Sequence, residues 1–186
     1  MRHDLTGWTI VIDLDGTLVE TAPDLHAALN HVMAQEGLGP IPLQDIRMMI
    51  GDGAKALLRK GLKYNGVSPD GTRIDHDLLP AFLQHYQANI TRHSHLFEGA
   101  LDTLSALQDR HATLAICTNK AQGLAEQVLQ ALGIQDRFAA TLGGDSAISR
   151  KPDGAHILET VALANGDANR AIMIGDSQTD ERAACD

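Results

Sequence analysis

Ile10-Val11-Ile12-Asp13-Leu14-Asp15-Gly16-Thr17-Leu18-Val19 is the stretch whose reading decides the fold. Three apolar β-formers run into two carboxylates separated by one residue, then into Gly-Thr. A short apolar run bounded by turn residues reads as a buried parallel strand ending at Asp13. In an open α/β sheet the ligand crevice lies beyond the carboxyl ends of the strands, where Asp13 and Asp15 emerge. Gly16 lets the backbone turn tightly there. Taken alone, the stretch is also an ordinary capped strand end, because Asp and Gly are common turn residues.

Downstream, Thr21-Ala22-Pro23-Asp24 reads as a helix start: a hydroxyl cap, then Pro and an acid in the first turn. Ala22, Leu25, Ala28, Leu29 and Val32 form a helical stripe ending near Gly37. Pro40 and Pro42 interrupt, and a short helix with Ile46, Met49 and Ile50 leads to Gly51-Asp52-Gly53. Ala54, Leu57, Leu58 and Leu62 make another stripe, residues 66–72 a loop, and Leu78, Leu79, Phe82, Leu83, Tyr86 and Ile90 a third amphipathic helix. Residues 21–93 therefore read as all-helical, a cap inserted into an α/β pattern and expected to sit over the strand ends. The expected division is core at 1–20, helical cap at 21–93 and core again at 94–186.

From Gly99 strands and helices alternate. Leu101, Leu104 and Leu107 mark a helix, 112–117 a strand, and Leu124, Val128, Leu129 and Leu132 a helix closed by Gly133. A short strand at 139–142 ends at Gly143-Gly144-Asp145, and Arg150-Lys151-Pro152 starts a helix holding Ile157, Leu158 and Val161. A last strand at 171–174 breaks at Gly175-Asp176-Ser177-Gln178-Thr179-Asp180. The alternation predicts a doubly wound, Rossmann-like parallel sheet with right-handed crossovers.

Each strand ends in polar residues: Asp13 and Asp15, then Thr118 and Asn119, then Lys151, then Asp176 and Asp180. Alone, Thr118-Asn119 is a helix cap and Lys151 one surface lysine among several; it is the ordered set that carries meaning. Parallel strands bring all of these groups to one edge. Carboxylates, a hydroxyl and an ammonium are the inventory of phosphoryl transfer, which needs in-line positioning and neutralised charge. Asp13 and Asp176 are hard oxygen ligands suited to Mg²⁺, which screens a carboxylate nucleophile from a phosphate dianion. In this scheme Asp13 attacks phosphorus, Asp15 is acid and then base, and Thr118 and Lys151 hold the phosphate oxygens.

Composition narrows the alternatives. A net charge of −9 and an aromatic share of 3% argue against nucleic acid as a partner. Two cysteines, Cys117 and Cys185, make no disulfide framework, and Cys117 reads as a small buried hydrophobe. No apolar run reaches membrane-spanning length and 1–8 lacks a signal-peptide core, so the expectation is a cytoplasmic protein without a membrane partner. The His93-Ser94-His95 pair is expected in a solvated hinge.

The ordered motifs Asp13-Leu14-Asp15-Gly16-Thr17-Leu18, Thr118-Asn119, Lys151-Pro152 and Gly175-Asp176-Ser177-Gln178-Thr179-Asp180 resemble those of haloacid dehalogenase superfamily phosphatases with an inserted helical cap. The resemblance implies Asp13 as nucleophile, Asp15 as acid/base, and Mg²⁺ on the Asp13 side chain, the Asp15 carbonyl and Asp176, with Asp180 in support. The acid at Asp15 favours a phosphatase over the dehalogenase branch. Within the superfamily the chain is most similar to phosphoglycolate phosphatases, through Thr21-Ala22-Pro23-Asp24-Leu25, Ile50-Gly51-Asp52-Gly53-Ala54 and Gly143-Gly144-Asp145. Its expected substrate is a small phosphorylated metabolite, 2-phosphoglycolate first, bound by Thr118, Asn119 and Lys151 and, from the cap, by Gly51 and Lys55 or Arg59. Sugar-phosphate or pyrophosphate phosphatase and a phospho-acceptor signalling module are the alternatives, and the expected assembly is a monomer or homodimer. Residue 154 is Gly where relatives commonly carry Pro. Relatives continue past Asp186 with another strand and helix, so a C-terminal part is expected to be missing here and the last strand under-paired.

Overall fold

The computed structural model describes residues 4–185; residues 1–3 and 186, the outer ends of the expected core segments, lie outside them. The described chain forms two compact units, one from residues up to Glu20 together with those from His95 onward, the other from Thr21–Ser94.

In chain order the first unit contains β1 (Thr9–Ile12), β2 (Val19–Glu20), β3 (His95–Leu96), β4 (Thr113–Thr118), β5 (Ala140–Gly143) and β6 (Ala171–Ile174). The main sheet has the order β5-β4-β1-β6 and every pairing in it is parallel. Ile10, Val11 and Ile12 are buried as a continuous run, as a central parallel strand requires. The register sets Ile12 level with Ile116 on one side and Ile174 on the other; β1 and β6 end at that level and β4 runs on to Thr118, so the residues that follow the three strands share one edge. Val11, Cys117, Ile157, Val161 and Ala183 pack as one buried cluster beneath that edge.

Several details differ from the sequence reading. β2 and β3 pair antiparallel, Val19 with Leu96 and Glu20 with His95, a ribbon too short for its period to register in the sequence. His95 therefore sits in a strand. The helix after Lys151 begins only at Ala155, and within it Leu158 is exposed. Among described residues β6 has only β1 as a strand neighbour, and Ile172 and Ile174 are exposed.

The second unit contains no strand among its described residues. Its helices are α1 (Ala22–Gln35), α2 (Leu43–Arg47), α3 (Ala54–Tyr64), α4 (Gly71–Arg73) and α5 (Leu79–Ala88), with a π-helical turn at Ile74–Leu78. The helical stripe of α1 is buried as expected. A Cβ at Gly61 would lie 3.0 Å from the Leu29 side chain, so glycine lets α3 approach α1. Met49 and Ile50 fall after α2, in turns, and residues 71–72 are already helical. The Thr21 hydroxyl makes no capping bond. Asp24 lies in the first turn of α1, as expected. It is buried and accepts from the backbone N–H of His93 and Ser94 and, at 2.6 Å, from the Ser94 hydroxyl. Those bonds tie the first turn of the unit to its last two residues.

The first unit carries the remaining helices, α6 (Ala100–Gln108), α7 (Gln122–Ala131), α8 (Ala155–Leu163) and α9 (Gln178–Cys185). In α6 only Leu104 is fully buried, and Leu101 is exposed.

Candidate active site

At the carboxyl edge of the sheet, Asp13 leaves β1 with its N–H bonded to the Ile174 carbonyl of β6 at 2.9 Å. Its side chain is buried. The Lys151 ammonium reaches it from the loop before α8, donating to Asp13 Oδ1 at 2.8 Å, the Cys117 carbonyl at 2.8 Å and Asp180 Oδ1 at 2.6 Å. Three acceptors saturate an ammonium. Burial pushes the Asp13 carboxyl up to about 7, with the Asp180 charge adding to the rise and the Lys151 ammonium opposing it. Burial works to lower the Lys151 ammonium, but Asp13 and the other neighbouring anionic groups outweigh it and hold its pKa above the usual range. The Cys117 thiol is pushed up to about 11 by burial, consistent with an inert packing role.

Asp176 follows β6 and accepts from the Thr17 hydroxyl at 2.9 Å. A Cβ on Gly16, whose φ is +91°, would fall 2.6 Å from Asp176 Oδ2, so the sequence needs glycine there for conformation and for space. Asp180 lies in the first turn of α9. Its Oδ2 accepts from the Ser177 N–H at 3.1 Å and the Ser177 hydroxyl at 2.5 Å, a capping arrangement that leaves Oδ1 to Lys151. Asp13, Asp176 and Asp180 each place one carboxylate oxygen within 4.8 Å of the others. Convergent hard oxygens of this kind fit a divalent cation such as Mg²⁺.

Thr118, the last residue of β4, is buried, and its Oγ accepts from the Lys120 N–H at 3.2 Å, leaving the hydroxyl proton for another acceptor. The Asn119 amide donates to the Lys151 carbonyl at 3.0 Å and thereby holds the lysine loop. His156 holds it from the other side. Its Nδ1 accepts the Lys151 N–H at 3.2 Å, which places the ring proton on Nε2, 3.3 Å from the Leu142 carbonyl. Burial lowers the His156 pKa.

Asp15 meets a residue to which the sequence reading gave no role. Lys120 Nζ donates to both of its oxygens, at 2.8 and 2.9 Å, with both side chains largely buried. The available signal was a cation one residue past Thr118-Asn119, in a strand-end turn, beside a second carboxylate with no assigned counter-charge. His156 offered no such signal, since one histidine among the apolar residues of α8 reads as packing.

Gly51 and Lys55 belong to the helical unit, not to the sheet edge. Gly51 has φ +117°, in a turn whose Met49 carbonyl and Asp52 carboxylate are both held by Lys60 Nζ, at 3.0 and 2.7 Å. Lys55 pairs with Asp75 at 2.8 Å, and Arg59 is exposed.

The sequence model of the family described as "Haloacid dehalogenase-like hydrolase" matches residues 10–186. The chain belongs to that family. Haloacid dehalogenase-like hydrolases similar to it include the phosphoglycolate phosphatase of Caulobacter vibrioides, 45% identical over 98% of this chain and 76% of that one. The phosphoglycolate phosphatase of Agrobacterium fabrum is 41% identical over 94% of this chain and 74% of its own. Among solved structures, a predicted phosphoglycolate phosphatase from Haemophilus somnus superposes with a TM-score of 0.87 at 28% identity, covering 97% of this chain and 81% of that one. No helix among the described residues is long and apolar enough to cross a membrane.

Proposed function

We propose that this haloacid dehalogenase-like hydrolase is a Mg²⁺-dependent phosphomonoesterase acting on 2-phosphoglycolate through an aspartyl-phosphate intermediate. The observation that carries the reading is the convergence at one sheet edge of Asp13, Asp15, Thr118, Lys151, Asp176 and Asp180, drawn from segments far apart in the chain. The similarity to two phosphoglycolate phosphatases above 40% identity supports the choice of substrate.

In this mechanism an Asp13 oxygen attacks phosphorus while the ester oxygen departs with a proton from Asp15. Asp15 then takes a proton from the water that cleaves the aspartyl-phosphate. Lys151 offsets the charge on the phosphoryl oxygens, and the Thr118 hydroxyl donates to one of them. The Asp13 and Asp176 carboxylates and the Asp15 carbonyl, with Asp180 in support, are the residues that would hold Mg²⁺, whose charge screens the phosphate dianion from the nucleophile. Residues 21–93 act as the helical cap, with the stretch from Gly51 to Lys55 its candidate contact with the substrate and Lys55 or Arg59 the candidate for the substrate carboxylate. The protein is read as cytoplasmic and as a monomer or homodimer.

Phosphate release is measured over a panel containing 2-phosphoglycolate, sugar phosphates and pyrophosphate, with Mg²⁺ or with chelator. The expected result is Mg²⁺-dependent release, fastest from 2-phosphoglycolate. Faster turnover of a sugar phosphate or pyrophosphate would move the substrate within the family. A long-lived phosphoprotein with Asp15 intact, and no release from any ester, would favour a phospho-acceptor module.

A further inference from the structure

The mechanism above gives Lys120 no task, yet its side chain is only 4% exposed and meets an Asp15 side chain that is 12% exposed. Burying an ammonium and a carboxylate costs desolvation that is recovered only where both ends are held in good geometry. Both ends are held. The Lys120 carbonyl accepts from the Gly144 N–H at 2.9 Å and its N–H donates to Thr118 Oγ at 3.2 Å. A Cβ at Gly143 would fall 2.9 Å from that same carbonyl oxygen, and one at Gly144 equally close to the Asn119 carbonyl oxygen, so the two glycines let this turn seat against the end of β5. On the other side, Asp15 bridges to Val19, and the Gly16 N–H donates to the Val19 carbonyl at 3.0 Å. One ammonium on both oxygens then fixes the carboxylate's two remaining torsions.

We propose that Lys120 is a positioning residue that orients Asp15 for proton exchange. The inference rests on the reading of Asp15 as acid and base. An ammonium has only donors, so when Asp15 carries a proton Lys120 can engage its carbonyl oxygen alone, and the O–H is left to another acceptor. As the bond from phosphorus to the ester oxygen breaks and the bond to Asp13 forms, that proton passes from Asp15 to the leaving oxygen. When water then bonds to phosphorus and the bond to Asp13 breaks, a water proton returns to Asp15. Lys120 keeps its own protons throughout.

The test uses Mg²⁺-loaded full-length protein and phenyl phosphates whose leaving groups run from p-nitrophenol to phenol. kcat/KM is the quantity read, because it reports the steps up to phosphoryl transfer and excludes hydrolysis of the intermediate. K120M should lower kcat/KM for phenyl phosphate at least roughly tenfold, a part of the roughly 10²–10⁴-fold that general acid help supplies, and for p-nitrophenyl phosphate less than about threefold. The dependence on leaving-group acidity steepens, and K120R restores part of the loss. D15N should steepen it further. An equal fall on every ester, or no fall, overturns the proposal. A steeper dependence in D15N but not in K120M overturns the role of Lys120 alone, whereas an unchanged dependence in D15N overturns the reading of Asp15 and this inference with it. Thermal melts establish that each variant folds, and K120Q carries the same comparison if K120M does not.

Discussion

The sheet edge and the helical unit treat charge in opposite ways. At the edge, Lys151 with Asp13 and Asp180, and Lys120 with Asp15, are ion pairs with side chains 2–12% exposed. In the helical unit, Lys55–Asp75 and Lys60–Asp52 keep 37–46% of their side-chain surface in water. Exposed pairs contribute little to stability, whereas buried ones carry a desolvation cost that a fold tolerates where the geometry is excellent or the charges have a task. The difference teaches where chemistry is expected: charge has been taken out of water at the strand ends, and in the helical unit it decorates a surface. Two carboxylates of the helical unit depart from that pattern: Glu36, 16% exposed and paired with an exposed Arg73, and Asp24, buried and bonded to the unit's own final residues.

The comparison breaks most visibly at Asp13. D13N should lower phosphatase turnover by roughly 10³-fold or more, the scale of losing a nucleophile. The same substitution should stabilise the metal-free protein at neutral pH. The folded Asp13 carboxyl titrates at about 7 against 3.8 for a free one, so the native state holds this proton more tightly than the unfolded chain does. Its stabilising contribution is complete below the unfolded value and is lost as pH rises through about 7. Melts of chelator-treated protein should therefore place D13N above wild type at about pH 8, with the gap closing toward about pH 4. A gap that widens on acidification would contradict the assignment.

Lys151 is next. K151M strips two buried carboxylates of their shared cation, and breaking such a pair costs about 3–5 kcal/mol. Urea titration should show that loss, and excess Mg²⁺ should recover part of it, because the cation would supply charge to the same oxygens. Asp24 gives a smaller effect in the other unit. D24N keeps one acceptor oxygen but loses charge-assisted bonds to His93 and Ser94, for an expected cost of about 1–3 kcal/mol in the same titration.

How much of this was legible follows the same division. Asp13, Thr118 and Asp176 could be read because a short apolar run followed by polar residues is a local pattern, and parallel strands carry local patterns to a common edge. The Lys120–Asp15 pair spans 105 residues and depends on β4 lying beside β1, an order that alternation alone does not specify. Pro152 suggested a helix start. The three bonds on Lys151 Nζ, together with Asn119 and His156 on its backbone, hold that segment as a loop, and the helix waits for Ala155. Asp24 fitted the local rule for a first-turn acid, but Ser94, 70 residues on, took its oxygens. Local chemistry placed the residues, and tertiary partners decided what some of them do.

The smallest predicted effect sharpens the comparison. Lys55 sits at the start of α3, paired with Asp75 in water, so K55A should leave the thermal midpoint of the protein unmoved. Asp75 is held below the usual carboxylate range by its hydrogen bond with Lys55, so the substitution returns its pKa toward the ordinary value without disturbing the fold. If Lys55 instead exchanges Asp75 for the carboxylate of 2-phosphoglycolate, the loss appears as binding alone. KM for that substrate should rise roughly two- to fivefold with kcat held, the signature of an interaction equal in ground and transition states. KM for phenyl phosphate, which has no carboxylate, should not move. A parallel rise for both esters would mean that Lys55 acts on the phosphate or on the fold, and a rise for neither would leave recognition of the leaving group to other residues of the helical unit.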